Sequence, residues 1–393
     1  MPRVRSRSIR VIYWLVLAGS AVLLFATVWI LLPVPNAFLL PLGVAAPELS
    51  PALFCISLAM IVLAAIYGRV LDTARLALVL SLVSAVVSAW PLIQVPGTLR
   101  RFDEAMRKTV GSDTNGTPTQ RLRYLDLFRP PPSPPSHVVR AVPFASRNGV
   151  SLTLDVYRPS MGNRPFPMLI QVYGGAWQRG SPADDEWFAR YFASRGFLVL
   201  AIDYRHAPQW QWPAQRDDVR DALRWSRAHA AEVGGDSNRV VVLGRSSGAQ
   251  LAMVAAYSDA SPSIKAVISY YGPVDLAEGW RHPPKPDPLH VRGLLEALLG
   301  GSPALVPDRY RDGSPITYAG KKLPPTLLIY GRRDHIVEAR FGSQLSRALA
   351  RAGNTSLFLE IPWSEHAFDV IPNGLGGQIA LSYTEQFMRW AIR

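Results

Sequence analysis

The chain of 393 residues has a single cysteine, Cys55, which excludes intramolecular disulfides and any cysteine-rich metal site. Acidic residues are scarce: 29 Asp and Glu stand against 42 Lys and Arg, a formal net charge of +13. The sequence has no H-E-x-x-H motif, no P-loop and no dinucleotide fingerprint, so neither a metal nor another cofactor is indicated. It also has no internal repeat. In a soluble protein such a basic excess would raise nucleic-acid binding. Here the arginines are scattered through loops and helix faces, with no nucleic-acid-binding motif beside them. A basic surface near anionic lipid is the simpler explanation, and no nucleic-acid partner is expected.

What the front of the chain lacks is polarity. Val11 to Leu32 is an apolar run that follows Arg3, Arg5, Arg7 and Arg10. It exceeds the ~7–15 residues of a signal-peptide core, and further apolar runs follow, so an uncleaved anchor is expected. Pro51 to Tyr67 and Leu76 to Ile93 are the next two, separated by a charged turn holding Arg69, Asp72 and Arg75. The pattern predicts about three transmembrane helices and a bilayer as partner. The second is the shortest, and its alternative is a re-entrant or interfacial hairpin with the third. Pro33 to Ser50 has no Lys or Arg, which places the amino terminus in the cytoplasm. Three spans then put the carboxyl-terminal domain on the far side of a multi-pass membrane protein, although Arg100, Arg101, Arg107 and Lys108 flank the last span there.

Composition divides the chain into residues 1–98, a membrane anchor; 99–136, a juxtamembrane segment and linker; and 137–393, a globular domain. Leu99 to Leu127 reads as one or two amphipathic helices, and Arg129 to Pro135 as a stiff polyproline spacer. Asn115-Gly-Thr117 and Asn354-Thr-Ser356 fit the glycosylation pattern, which matters only in a eukaryotic secretory setting. From Val138 short apolar runs alternate with helical patterns such as Arg216 to Glu232 and Ala339 to Ala352. That order predicts an α/β domain with a mostly parallel central sheet and helices on both faces. Ligands of such sheets bind beyond the carboxyl ends of the strands.

One of those runs carries chemistry. Val240 to Leu243 reads as a buried strand, and Gly244-Arg-Ser-Ser-Gly248 follows it in the pattern G-x-S-x-G before a small-residue helix. This is the context of a nucleophile elbow, with Ser246 exposed at the strand's end. A serine hydroxyl attacks only when a base takes its proton. The strand Pro325 to Tyr330 delivers Asp334, and the loop after Leu357 to Ile361 carries His366. The chain order Ser246, Asp334, His366 is that of α/β-hydrolases. In this reading His366 is the base and Asp334 its orienter. The strand Pro167 to Val172 runs into Tyr173-Gly-Gly-Ala-Trp177, so the amides of Gly175, Ala176 and Ser247 are the expected oxyanion donors.

From about Val138 to Arg393 the chain resembles α/β-hydrolase esterases and lipases of the hormone-sensitive-lipase-like branch. The resemblance rests on Tyr173-Gly-Gly-Ala-Trp177, Asp203-Tyr-Arg-His-Ala-Pro208, Gly244 to Gly248, Tyr271-Gly-Pro-Val-Asp275, Gly313-Ser-Pro-Ile316, Gly331 to Asp334 and His366-Ala-Phe368, in that order. It implies the α/β-hydrolase fold and serine ester hydrolysis through an acyl-enzyme, with a small-molecule or lipid ester as substrate. Three positions depart from the family: Tyr173 stands where histidine is usual, Arg245 where an acid is usual, and Ser247 where alanine is common.

Other residues compete for these roles. His335 adjoins Asp334 and is the rival base, but neighbouring side chains point apart; His206 reads as a structural or pocket-wall residue. Trp177, Trp210 and Trp212 could line an acyl pocket, with core packing the default. Asp275 to Asp312 is longer than a crossover needs, and its amphipathic stretch Val291 to Leu299 is either a cap over the site or an ordinary packing helix. Two further functions stand beside ester hydrolysis: amide or peptide hydrolysis on the same triad, arylformamidase-like or prolyl-peptidase-like, and a non-catalytic membrane-tethered binding protein.

Overall fold

The computed structural model describes residues 2–67, 74–111, 121–129, 131–259 and 261–393. Arg69, Asp72, the Asn115-Gly-Thr117 pattern and Pro130 lie outside the described residues, as do the side chains of Arg3, Arg5, Arg7 and Arg10.

Eight strands form a single sheet: β1 (His137–Arg147), β2 (Val150–Arg158), β3 (Phe166–Val172), β4 (Leu198–Ile202), β5 (Gly235–Arg245), β6 (Ile264–Tyr270), β7 (Thr326–Gly331) and β8 (Ser356–Ile361), in the order β1-β2-β4-β3-β5-β6-β7-β8. β1 and β2 pair antiparallel at one edge, β2 meets β4 antiparallel, and every pairing from β4 to β8 is parallel. Successive strand residues point to opposite faces, yet Val240 through Leu243 and Val267, Ile268 and Tyr270 are all fully buried. Both faces are therefore covered, which explains why these strands read as continuous apolar runs rather than alternating ones. The expected α/β sheet is what the chain forms.

The helices are α1 (Pro2–Thr27), α2 (Leu40–Glu48), α3 (Ser50–Tyr67), α4 (Ala74–Val110), α5 (Glu186–Ser194), α6 (Ala214–Ala228) and the short α7 (Ala230–Val233). They continue with α8 (Ser247–Ser258), α9 (Leu276–Arg281), α10 (Val291–Leu299), α11 (Pro307–Gly313), α12 (Ala339–Arg351) and α13 (Leu375–Ala391). α8 is buried from Ser247 to Tyr257 and small-residue-rich, so it lies close on the strands beside it.

The apolar amino-terminal segment differs from expectation. Among the described residues Arg75–Val110 alone has the length and hydropathy to cross a bilayer; a second span arises only if Leu40–Glu48 and Ser50–Ile66, bent by 79°, count as one. The apolar part of the first run is the helix Trp14–Ile30. Pro33 and Pro35 follow it and cannot extend the ladder. The expectation of three spans is thus corrected to one or two. The multi-pass topology and the placement of the carboxyl-terminal domain across the membrane from the amino terminus lose the count on which they rested.

A second correction concerns residues 99–127. α4 runs unbroken through Pro91 and Pro96, so the expected third span and the first juxtamembrane helix are one element of 37 residues. Its final turns dock on α13: Phe102 and Met106 are buried, and Tyr383 donates to Asp103 Oδ1 at 2.8 Å. The Pro-rich spacer is likewise fastened, with Trp187 Nε1 donating to the Pro132 carbonyl at 3.0 Å.

Candidate active site

The parallel register brings Val172 beside Gly244, Arg245 beside Tyr270 and Gly331 beside Ile361. The loops that leave these strand ends consequently share one edge of the sheet. Ser246 follows β5 directly, with φ 50° and ψ −124°, a conformation costly to any residue with a Cβ. Its amide donates to the Tyr270 carbonyl at 2.9 Å, which fixes the turn between two strands. The flanking glycines are a packing requirement. A Cβ on Gly248 would lie 2.1 Å from the Tyr173 carbonyl oxygen, and one on Gly244 would lie 2.2 Å from that of Gly248.

Ser246 Oγ lies 2.9 Å from His366 Nε2, and His366 Nδ1 lies 2.8 Å from Asp334 Oδ2. An ionised carboxylate can only accept, so Nδ1 carries the proton and Nε2 is free to accept from the serine hydroxyl. Asp334 is itself held: its Oδ1 accepts from the amides of Ile336 at 2.8 Å and Val337 at 2.7 Å. Burial works against the imidazolium, but the facing Asp334 carboxylate, with Glu365 and Asp369 near it, holds His366 above its ordinary value. The rival base is occupied elsewhere. His335 Nδ1 faces Glu365 Oε2 at 2.5 Å, and its amide donates to Glu365 Oε1 at 2.7 Å.

Gly175, Ala176 and Ser247 line the same cavity as Ser246 and His366. Gly175 and Ala176 both have positive φ, at 135° and 55°, so the loop after β3 turns sharply beside the serine. Tyr173, at the position where relatives carry histidine, is buried and stacks on Tyr204 with ring centres 4.5 Å apart. Its hydroxyl donates to Asp203 Oδ1 at 2.5 Å and lies 2.9 Å from His206 Nε2. This ties the glycine loop to the Asp203-Tyr-Arg segment, whose Arg205 is in turn bidentate on buried Asp218. His206 is therefore a bracing residue.

Arg245 is among the residues lining the cavity, but its side chain is taken up by carboxylates. It is 6% exposed, pairs with Asp185 and, through Nε at 2.5 Å, with Asp369 Oδ2, and its guanidinium lies 3.9 Å from the Phe188 ring centre. Burial disfavours its charge, but the two carboxylates outweigh that and hold it above its ordinary value. Asp369 also accepts from Tyr271 Oη, and the Tyr271 ring lies 4.5 Å from the His366 ring. The roles of Asp185, Asp369, Tyr271 and Glu365 around the site were not anticipated from sequence; the one legible signal was the charge of Arg245, which demanded acidic partners.

The cavity measures about 410 Å³. Val291, Leu294 and Leu295 of α10 and Leu276 of α9 form part of its wall, so the extra segment before β7 covers the site. Trp177 reaches the lining but is anchored by Nε1 to Gln250 at 2.8 Å, and Trp212 is core, bound to Asp312. Leu40 of α2 also lines the cavity, a contribution from the amino-terminal helices that was not legible in the sequence. Among the described residues no cluster of His, Cys, Asp and Glu could hold a metal ion.

The sheet-bearing part of the chain is similar to known proteins. The BD-FAE family matches residues 154–349, just under half of the chain, from β2 into α12. Esterase LipC of Mycobacterium tuberculosis is 33% identical over 245 residues, 58% of this chain and 59% of LipC. The chain spans under two thirds of the length of LipC and of other curated esterases that it matches. Among solved structures, esterase 2 of Thermogutta terrifontis phosphonylated by sarin shares 25% identity with a TM-score of 0.52, over 66% of this chain and 94% of that one. A bacterial heroin esterase has the same fold, with a TM-score of 0.58 over 77% of this chain and 93% of that one, at 20% identity. The sheet-bearing part of the chain has the α/β-hydrolase fold and is carboxylesterase-like.

Proposed function

We propose that this chain is a membrane-associated serine carboxylic ester hydrolase acting through an acyl-enzyme, with Ser246, His366 and Asp334 as its triad. The observation that carries the reading is the unbroken relay from Asp334 through His366 to Ser246, at 2.8 and 2.9 Å, opening on a largely apolar cavity. Ser246 Oγ attacks the ester carbonyl as His366 Nε2 takes its proton, and the amides of Gly175, Ala176 and Ser247 receive the developing oxyanion. Collapse breaks the C–O bond, and His366 returns the proton to the leaving alcohol. A water molecule, deprotonated by the same nitrogen, then attacks the acyl carbon and releases the acid and Ser246.

Esters rather than amides are favoured by the comparisons, since the relatives described above are esterases by name. The apolar half of α4 exposes Val79, Val86, Trp90 and Ile93, a surface suited to lipid, so a lipid-borne or otherwise apolar ester fits best. The test is a panel of p-nitrophenyl esters of graded acyl length run beside matched anilides. Ester turnover that Ser246→Ala abolishes is expected. Faster anilide than ester turnover would favour the amidase alternative, and turnover retained in Ser246→Ala would sink the triad.

A further inference from the structure

The C-terminal end of α2 carries a buried carboxylate that the reaction above does not use. We propose that Glu48 is a positioning residue, clamping the loop that bears His366 to the N-terminal helices so that the site is complete only when that segment is docked. This rests on the esterase reading.

Glu48 is 1% exposed. Its Oε1 accepts from Ser364 Oγ at 2.6 Å, and its Oε2 accepts from the amides of Gly376 at 2.5 Å and Gly377 at 3.4 Å. The two amides belong to the first turn of α13, where backbone donors lack intrahelical partners and negative charge is favoured. Buried carboxylates are tolerated only with such a set of donors. The fit is close: a Cβ on Gly376 would come 2.5 Å from Ser364 Oγ and 2.7 Å from Glu48 Oε1.

Ser364 is the joint through which Glu48 reaches the triad. It precedes His366 by two residues, and its carbonyl accepts from the amide of Arg333, the neighbour of Asp334, at 3.1 Å. The base-bearing and acid-bearing loops are thus tied to each other at the residue that Glu48 holds. Two other contacts from the same stretch reach the same place. Arg333 donates through its guanidinium to the Leu31 carbonyl, and Leu40 lines the cavity. Residues 31–48 therefore touch the acid loop, the base loop and the substrate cavity, which a passive tether would have no reason to do.

The experiment compares full-length wild type, Glu48→Ala, Glu48→Gln and Ser364→Ala in detergent micelles, with p-nitrophenyl butyrate as substrate. Glu48→Ala is expected to lower kcat about 10- to 100-fold with little change in KM, because the reacting geometry loosens while the cavity wall stays. Glu48→Gln should recover most of that loss, since its amide oxygen can accept from Gly376 and its NH2 can donate to Ser364 Oγ. Wild-type kcat in Glu48→Ala, or a loss confined to KM, overturns the proposal. If Glu48→Ala does not fold, Ser364→Ala decides: a folded protein with several-fold lower kcat supports the clamp, and an unchanged kcat refutes it. A wild type without esterase turnover would instead strike at the proposed function.

Discussion

Ser246 sits in a backbone conformation that only a tightly packed turn sustains, and its hydroxyl meets His366 Nε2 because the adjacent strands end in register. In the proposed mechanism the protonation of His366 governs activity. Its ordinary value is about 6.5. Burial opposes the charged ring, yet Asp334 more than compensates and raises it. A raised value means that the imidazolium persists to higher pH, and the imidazolium cannot accept the Ser246 proton. The acid limb of kcat/KM is therefore expected above the ordinary histidine value, with activity falling as pH drops through it. A limb at or below the ordinary value would contradict this electrostatic reading of the pair.

Arg245 shows how one buried charge organises several elements. It closes β5 and faces Asp185 at the start of α5 and Asp369 in the turn after His366. Removing the cation leaves buried Asp369 and half-buried Asp185 without their partner. Arg245→Met is expected to destabilise the fold by about 3–5 kcal/mol, read as a lowered urea midpoint; a midpoint unchanged from wild type would mean that the pairing contributes nothing. The strand–turn–helix at Val240 to Ala256 was legible in the sequence because buried parallel strands, a glycine-flanked turn and a small-residue helix each leave a local pattern. Asp334 and His366 were legible for the same reason, each following an apolar strand. The partners of Arg245 were not, because Asp185, Asp369 and Tyr271 come from separate loops and share no spacing with it. The cap was half-legible: the apolar stripe of α10 was visible in sequence, but the surface it covers depends on tertiary placement.

At the scale of the whole molecule the sequence misled in one respect. Hydropathy marks apolar runs without showing how the helices fold, so Val11 to Leu32 and Pro51 to Tyr67 both read as spans, whereas the second of them belongs to a helix pair bent by 79°. It also implied a tether, whereas Glu48, Leu40 and the end of α4 are built into the hydrolase part. Membrane association itself is open to a direct check. Membranes from cells producing the chain, washed with alkaline carbonate, should retain it; release into the supernatant would remove the anchor. The central claim, that Ser246 is the nucleophile of an acyl-transfer site, is tested most directly by reacting the full-length chain with a fluorophosphonate and mapping the adduct by peptide mass spectrometry. The expected result is one adduct, on the peptide containing Ser246, lost in Ser246→Ala. An adduct on another residue, or equal labelling of Ser246→Ala, would contradict the account.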